Sequence, residues 1–188
     1  MFEEALEVTR LLLQEDAPAT FEGEYFPLDE AQLLPRPQRP GGPPILIGGN
    51  GPKRTLPLVA RYAREWNAVY LPLEVYRERR ARLDELLREQ GRQPGDVKRS
   101  LMTGTIFARD EAALNDILAE RSRRAGEEVT VESAVDRGMI VGTPSMWVDQ
   151  IGRYVEAGVE RFMLQWLDQD DLDGIEVIAR DVLPQFHR

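Results

Sequence analysis

The chain contains no cysteine and a single histidine, His187, next to the last of its 188 residues. Without thiols there is no disulfide, thiolate metal site or cysteine nucleophile, and a terminal histidine leaves no internal Ser-His pair. Long apolar runs are also missing: the longest span a few residues, against the ~20 needed to cross a bilayer. Met1 leads into Phe-Glu-Glu-Ala-Leu-Glu, with neither the basic flank nor the apolar core of a signal peptide, so the cytoplasm is the expected compartment and no membrane partner is expected. Positive charge is scarce, since 24 Lys plus Arg stand against 33 Asp plus Glu for a net charge of -9, and nucleic acid is not an expected partner. Lysine is rarer still: only Lys53 and Lys98 occur, and the resulting arginine skew carries no functional information.

What is present suffices for one domain over residues 1–188, because 42% hydrophobic residues at this length can build a sizeable core. Phe2, Ala5, Leu6, Leu12 and Leu13 fall at helical spacing behind a front of acids, predicting an amphipathic helix within residues 1–15. Residues 16–42 read as an extended connector. Phe21 to Pro27 within it suits a short hairpin, and Pro35, Pro37 and Pro40 ahead of Gly41-Gly42 disfavour helix. Residues 43–188 then alternate. Strands are expected at 43–47, 65–71, 100–108 and 159–167, and helices at 55–64, 74–89, 110–125, 144–157 and 172–186, with 126–138 unassigned. Gly91 is a natural stop, Asp110 and Thr143 are natural caps, and Pro144 suits a first helical position. Four βα units imply an α/β fold with parallel pairing and right-handed crossovers. Periodicity alone leaves open a doubly wound sheet or part of a closed barrel.

The candidate chemistry is concentrated in turns. Gly48, Gly49, Asn50, Gly51, Lys53 and Arg54 lie between a buried strand and a helix, where free amides and the helix dipole favour an anion. Their spacing matches neither a nucleotide-triphosphate loop nor the dinucleotide fingerprint, and a ligand-free βα turn is the competing reading. Pro57 fits if Thr55 caps the helix and the proline lies in the first turn, which lengthens the loop. Gln165 and Trp166 stand near the end of the last strand, where parallel folds build sites, which gives them a better claim than Trp66 and Asn67 at a strand start. Asp168, Asp170, Asp171 and Asp173 cluster after that strand but lack the spacing of a calcium loop, so no metal is expected, and Asp170 or Asp171 as a helix cap is the better explanation. His187 is expected to be solvated, and no acid-base pair is recognisable.

Taken in order, Pro43-Pro44-Ile45-Leu46-Ile47-Gly48-Gly49-Asn50-Gly51, Ala63-Arg64-Glu65-Trp66-Asn67, Val141-Gly142-Thr143-Pro144 and Ala157-Gly158-Val159 resemble the bacterial luciferase-like monooxygenase superfamily, and within it the deazaflavin-dependent oxidoreductases. Phe21-Glu22-Gly23, Leu33-Leu34-Pro35-Arg36-Pro37 and Met163-Leu164-Gln165-Trp166-Leu167 extend the match. The resemblance implies a (β/α)8 barrel about twice this length that binds coenzyme F420, a deazaflavin, or FMN at the C-terminal ends of its strands and acts on a small molecule. Residues 43–188 would be strands five to eight of it, and the loop from Gly48 to Arg54 would meet the cofactor phosphate. The alternative is a half-barrel without catalysis, an interaction module or one half of a split enzyme. Ile45, Ile47, Val69, Leu101, Thr103, Thr105, Phe162 and Leu164 lie in the segments that would line the open inner face, and covering such a face by two-fold pairing predicts a homodimer.

Overall fold

A computed structural model of the chain describes residues 1–168 and 170–186. His187, and with it the expectation for that side chain, lies outside the described residues. The amphipathic pattern at the start forms α1, Phe2–Gln14, which buries Leu6. In the connector, β1 (Ala19–Phe21) and β2 (Leu28–Ala31) pair antiparallel, so this segment is more ordered than an extended linker. It is also docked. Glu4 accepts the amides of Tyr25 (2.8 Å) and Phe26 (3.3 Å), and Arg36 donates to the carbonyls of Leu12 (2.7 Å) and Glu15.

The alternating part runs β3 (Leu46–Gly48), α2 (Thr55–Tyr62), β4 (Glu65–Val69), α3 (Leu73–Glu89), β5 (Lys98–Phe107), α4 (Glu111–Ala125), α5 (Val131–Asp136), β6 (Ile140–Gly142), α6 (Pro144–Glu156), β7 (Arg161–Gln165) and α7 (Leu172–Val177). Beyond α7 the last helix loosens into a π turn, Ile178–Val182, and a 3-10 turn, Leu183–Gln185. Local chemistry sets several ends: Asp110 accepts from the amide of Ala113, and Gly91 follows the α3 cap at φ +70. The strand boundaries shift from expectation, β3 starting at Leu46 rather than 43 and β4 and β7 ending short of 71 and 167, and two further differences stand out. The α2 cap position is Arg54 rather than Thr55, so Pro57 still falls in the first turn but the preceding loop is one residue shorter. The stretch left unassigned holds α5 and leads into β6, which makes five parallel strands rather than four. β6 has only three residues and too little periodicity to read, yet it completes the far end of β5 by pairing with Thr105, Ile106 and Phe107.

Strand order settles the choice between an open sheet and a barrel. β3 pairs with β4, β4 with β5, and β5 with β7, all parallel. β4 and β7 both pair with Ser100, Leu101 and Met102 of β5, so they occupy its opposite edges. β3, β4, β5 and β7 are thus added in one direction, with β6 paired only to the far end of β5. A doubly wound sheet reverses direction at a switch point, whereas this monotonic order is an arc of a barrel.

Alternation along the strands divides the arc into two faces. Ile47, Trp66, Ala68 and Leu101 turn outward into a buried cluster with Leu56 and Val59 of α2 and Tyr76, Leu83 and Leu87 of α3. Phe107, Ile140, Trp147, Ile178 and Val182 form a second cluster under α6 and the C-terminal turns. By register, Gly48, Asn67, Ser100 and Met163 share the inner face, and Asn67 touches both Ser100 (3.0 Å) and the Met163 sulfur (3.6 Å). This corrects the expected inner lining. Ile45, Ile47, Leu101 and Phe162 pack with the outer helices, Leu164 joins the α6 cluster, and Thr103 and Thr105 are taken up by the carbonyls of Gly138 and Gln165. Of those residues only Val69 keeps the inner position, opposite Met102.

Candidate functional site

The loop from Gly48 to Arg54 lies at the C-terminal end of the arc and is held from two sides. Gly49 has φ +120, a conformation open only to glycine, and its amide donates to the Asn67 carbonyl (3.0 Å). Behind it, the indole of Trp66 donates to the Gly49 carbonyl (2.8 Å), while the Trp66 ring stacks on Tyr76 at 5.6 Å. In front, the Asn50 carboxamide grips the end of β4, donating to the Val69 carbonyl (2.6 Å) and accepting its amide (2.9 Å). Asn50 is therefore a clamp whose polar atoms are engaged by protein. The Gly51 carbonyl accepts the amides of Thr55 and Leu56 and so starts α2.

These constraints leave several backbone donors of the loop unused. Among the described residues, the amides of Asn50, Gly51, Lys53 and Arg54 meet no protein acceptor in the loop's hydrogen-bond pattern. Lys53 and Arg54 are exposed, and neither pairs with a carboxylate among the described residues. Open amides at a helix N-terminus beside two uncommitted cations set fixed dipoles and both charges so that they favour negative charge at one place.

A second group of residues sits beside the inner face at the same end. Tyr70 follows β4 with φ +48, a strained value for a side-chain-bearing residue. Glycines secure it. A Cβ on Gly138 would lie 2.6 Å from the Tyr70 carbonyl carbon, and a Cβ on Gly104 would lie 2.6 Å from its phenol oxygen. The Tyr70 hydroxyl donates to Gln165 Oε1, and Gln165 Nε2 faces the Met102 sulfur at 3.7 Å. Below them come the Asn67, Ser100 and Met163 group and, at the opposite end of the strands, the Arg161 to Glu65 pair at 2.9 Å. Thioethers and neutral amides on one concave wall suit a flat ligand with polar edges better than a purely apolar one.

The sequence-expected residues do not all converge. Gly48 to Arg54 form one group and Gln165 a second, separated by the width of β4 and β5, or roughly 14 Å at ~4.8 Å per strand. Asn50, Val69, Tyr70 and Gln165 link the two as a continuous rim. Trp166 points to the other face, at 6.1 Å from the Phe107 ring, with its indole nitrogen buried and unpartnered among the described residues. Trp66, ranked lower from sequence, directly supports the loop. Asp171 caps α7 through the Gly174 amide (2.9 Å), and Arg109 pairs with Asp173 (3.0 Å). Among the described residues no group of three or more His, Asp or Glu side chains is placed to hold a metal. Tyr70, Met102 and Met163 were missed. Period-2 alternation from Glu65, which sets Asn67 and Val69 apart from Trp66 and Ala68, was the available signal for the inner face and, through register, for Met102 and Met163; Tyr70 had none.

An arc of parallel strands with a glycine loop over its C-terminal end narrows the possibilities, and comparison closes the question of family. The family model of luciferase-like monooxygenases matches residues 1–161. The chain belongs to this family. Among curated relatives, the F420-dependent glucose-6-phosphate dehydrogenase of Intrasporangium calvum is 26% identical over 205 residues, an alignment covering 96% of this chain and 59% of the relative. Among solved structures, an F420-dependent secondary alcohol dehydrogenase in complex with an F420-acetone adduct superposes with a TM-score of 0.78 at 23% identity, covering 100% of this chain and 62% of that one. The oxygenating constituent of 3,6-diketocamphane monooxygenase of Pseudomonas putida, in complex with FMN, gives 0.69 at 18% identity, covering 97% and 62%. The chain thus spans about three fifths of the length of these relatives. Among the described residues no helix is long and apolar enough to cross a membrane.

Proposed function

We propose that this chain is the cofactor-holding portion of a luciferase-like oxidoreductase that uses a deazaflavin or FMN to act on a small molecule. The observation that carries the reading is the set of open amides at Asn50, Gly51, Lys53 and Arg54, with two uncommitted cations, at the C-terminal end of a barrel arc. The residues fit the group. Gly48 to Gly51 leave room for a phosphate to approach the backbone, Lys53 and Arg54 neutralise it, and Tyr70, Gln165, Met102 and Met163 offer a wall to a flat ring. When bound, such a cofactor supplies the hydride or oxygen chemistry, while the protein orients it and excludes water. The F420 dependence of the relatives favours the deazaflavin. Trp166 supports the wall from behind rather than lining it.

The test is a titration of the chain with coenzyme F420 and with FMN, read by fluorescence. Saturable binding is expected, weakened roughly tenfold in a Lys53→Gln/Arg54→Gln variant, since two charge-assisted contacts are lost. No optical change at high micromolar cofactor refutes the reading. The split-enzyme alternative predicts the same binding without turnover until the rest of a barrel is supplied. We further propose that the chain behaves as one domain, resides in the cytoplasm and forms a two-fold homodimer. The support for pairing is the free outer edges of β3 and β7, each of which has a single strand partner among the described residues. Light scattering coupled to size exclusion should give about twice the 21.4 kDa chain mass, and a monodisperse species at 21.4 kDa refutes the dimer.

A further inference from the structure

At the opposite end of the strands, a cavity of about 740 Å3 opens between α1, the connector ahead of β3 and the turns that lead into β4 and β5. Arg39, Arg64 and Arg92 reach it from three separate segments, the connector, the α2–β4 turn and the α3–β5 turn. In a chain of net charge -9 that gathering is unexpected, and the state of these cations sets them apart further. Most arginines here are matched to carboxylates, including the two others on the cavity wall: Arg10 pairs with Glu7 and Glu15, and Arg61 with Glu3. Arg39, Arg64 and Arg92 have no carboxylate within ion-pair distance among the described residues.

Arg92 is fixed in place. Its guanidinium donates to the carbonyls of Ala60 (2.7 Å) and Ala63 (2.8 Å) at the end of α2. Capping α2 explains where Arg92 stands, yet its partners are neutral carbonyls, that of Asp96 (3.4 Å) included; the Asp96 carboxylate, also on the cavity wall but outside ion-pair distance, offsets the charge only in part, and further N–H groups are to spare. Burial and the neighbouring Arg64 guanidinium both make that charge harder to keep, holding the Arg92 pKa below its usual value. The Arg64 backbone is locked between the Ile45 carbonyl and the Lys98 amide, which keeps its side chain at the cavity mouth. Pro40, Gly41, Pro43 and Pro44 form the facing wall.

We propose that this cavity is a binding site for a phosphoryl-bearing small molecule, held by Arg39, Arg64 and Arg92 at the end of the barrel arc away from the cofactor loop. Three planar donor forks around one volume match the oxygens of a phosphoryl group, and a multivalent anion removes the like-charge contact between Arg64 and Arg92. The volume exceeds that of a lone phosphate, so the ligand class is a phosphorylated metabolite or a diphosphate. The site stands independently of the cofactor reading.

Thermal unfolding in inorganic pyrophosphate, with sodium chloride controls at equal ionic strength, tests it. A saturable rise in Tm is expected for the unaltered chain. An Arg39→Gln/Arg64→Gln variant, whose replaced side chains make no hydrogen bond within the described structure and so leave folding intact, should bind pyrophosphate at least tenfold more weakly. An Arg77→Gln/Arg82→Gln variant, which removes the same charge from α3 away from the cavity, should keep the full response, and a Lys53→Gln/Arg54→Gln variant should keep the part of it that belongs to the cavity. No saturable shift, an equal shift in the Arg39/Arg64 variant, or loss of the response only in the Lys53/Arg54 variant each overturns the proposal. Repeating the titration with a sugar phosphate distinguishes a phosphomonoester ligand from a diphosphate.

Discussion

Replacing Asn50 by alanine removes the clamp between the glycine loop and β4, and its cost follows from the two bonds it makes. The Val69 carbonyl loses a donor at 2.6 Å and the Val69 amide loses an acceptor at 2.9 Å, both in part-buried positions. A net hydrogen bond contributes ~1 kcal/mol and an orphaned part-buried group costs somewhat more, so about 2–3 kcal/mol is expected in all. For a chain of this size that corresponds to a Tm lowered by roughly 5–10 °C. Urea unfolding followed by circular dichroism measures the loss, and an unchanged m-value shows that it lies in the native contact. Asn50→Asp sharpens the test. A carboxylate still accepts the Val69 amide but sets an anion against the Val69 carbonyl, so this variant should match or exceed the alanine loss at neutral pH. Protonation restores a donor, which raises the folded-state pKa of that carboxyl, so part of the stability should return as pH falls through that value. The Lys53→Gln/Arg54→Gln variant should remain within about 0.5 kcal/mol of the parent, because those side chains meet only solvent. An Asn50→Ala variant that is equally close to the parent refutes the clamp.

Gly138→Ala should cost more than about 2 kcal/mol in the same unfolding assay, because φ is +78 and the new Cβ meets Tyr70 backbone at 2.6 Å. Gly91→Ala, at φ +70 in open space, should cost only about 1 kcal/mol. Gly104→Ala meets the mobile end of Tyr70 instead, so it should leave stability within about 1.5 kcal/mol while displacing the phenol from Gln165, weakening cofactor binding as much as Tyr70→Phe does. The amides of Tyr25 and Phe26 hold the Glu4 carboxyl below its usual pKa, so docking of the hairpin on α1 is favoured above the ordinary carboxylate range and lost as pH falls through the lowered value. Hydrogen-exchange protection factors in residues 19–31 should therefore fall as pH drops below the ordinary carboxylate range, and Glu4→Gln should show the lowered protection already at neutral pH.

Elements built from local signals were legible. The α4 cap at Asp110, the helix after Thr143-Pro144 and the strand leading into Gly48-Gly49 each rest on residues within a few positions of one another, and those rules act before tertiary packing. What required long-range information was less readable. β6 exists because the far end of β5 needs a partner, and nothing within Ile140–Gly142 announces that. The inner face went astray for a related reason. A parallel strand buried on both sides reads as one apolar run, so the run containing Ile45 and Ile47 does not say which side meets helices until the register with β4 is known. At the site, glycine content pointed to the loop, but the roles inside it depend on β4: Asn50 binds Val69, and Trp66 binds Gly49 from behind. Tyr70 carried no local signal, since its conformation is imposed by Gly104 and Gly138, distant in sequence.

The division of faces also bears on how such an arc persists. The outer contacts join strands to the helices that cover them, as Trp66 to Tyr76 and Phe107 to Trp147, so this layer buries its aromatic side chains within the chain. The inner layer has polar levels at Glu65 and Arg161, at Asn67 and Ser100 and at Gln165 and Tyr70, whose groups pair across the strands, and one apolar level of Val69, Met102 and Met163 between them. A wall of this kind loses little by facing water. The main chain at the two ends of the arc is different: the outer edges of β3 and β7 present amides and carbonyls with no strand partner among the described residues. What favours association is therefore edge pairing more than an exposed apolar core. A partner that supplies strands to those edges also brings a second wall over Met102, Met163 and Gln165, so assembly and exclusion of water from the proposed cofactor site are one structural event.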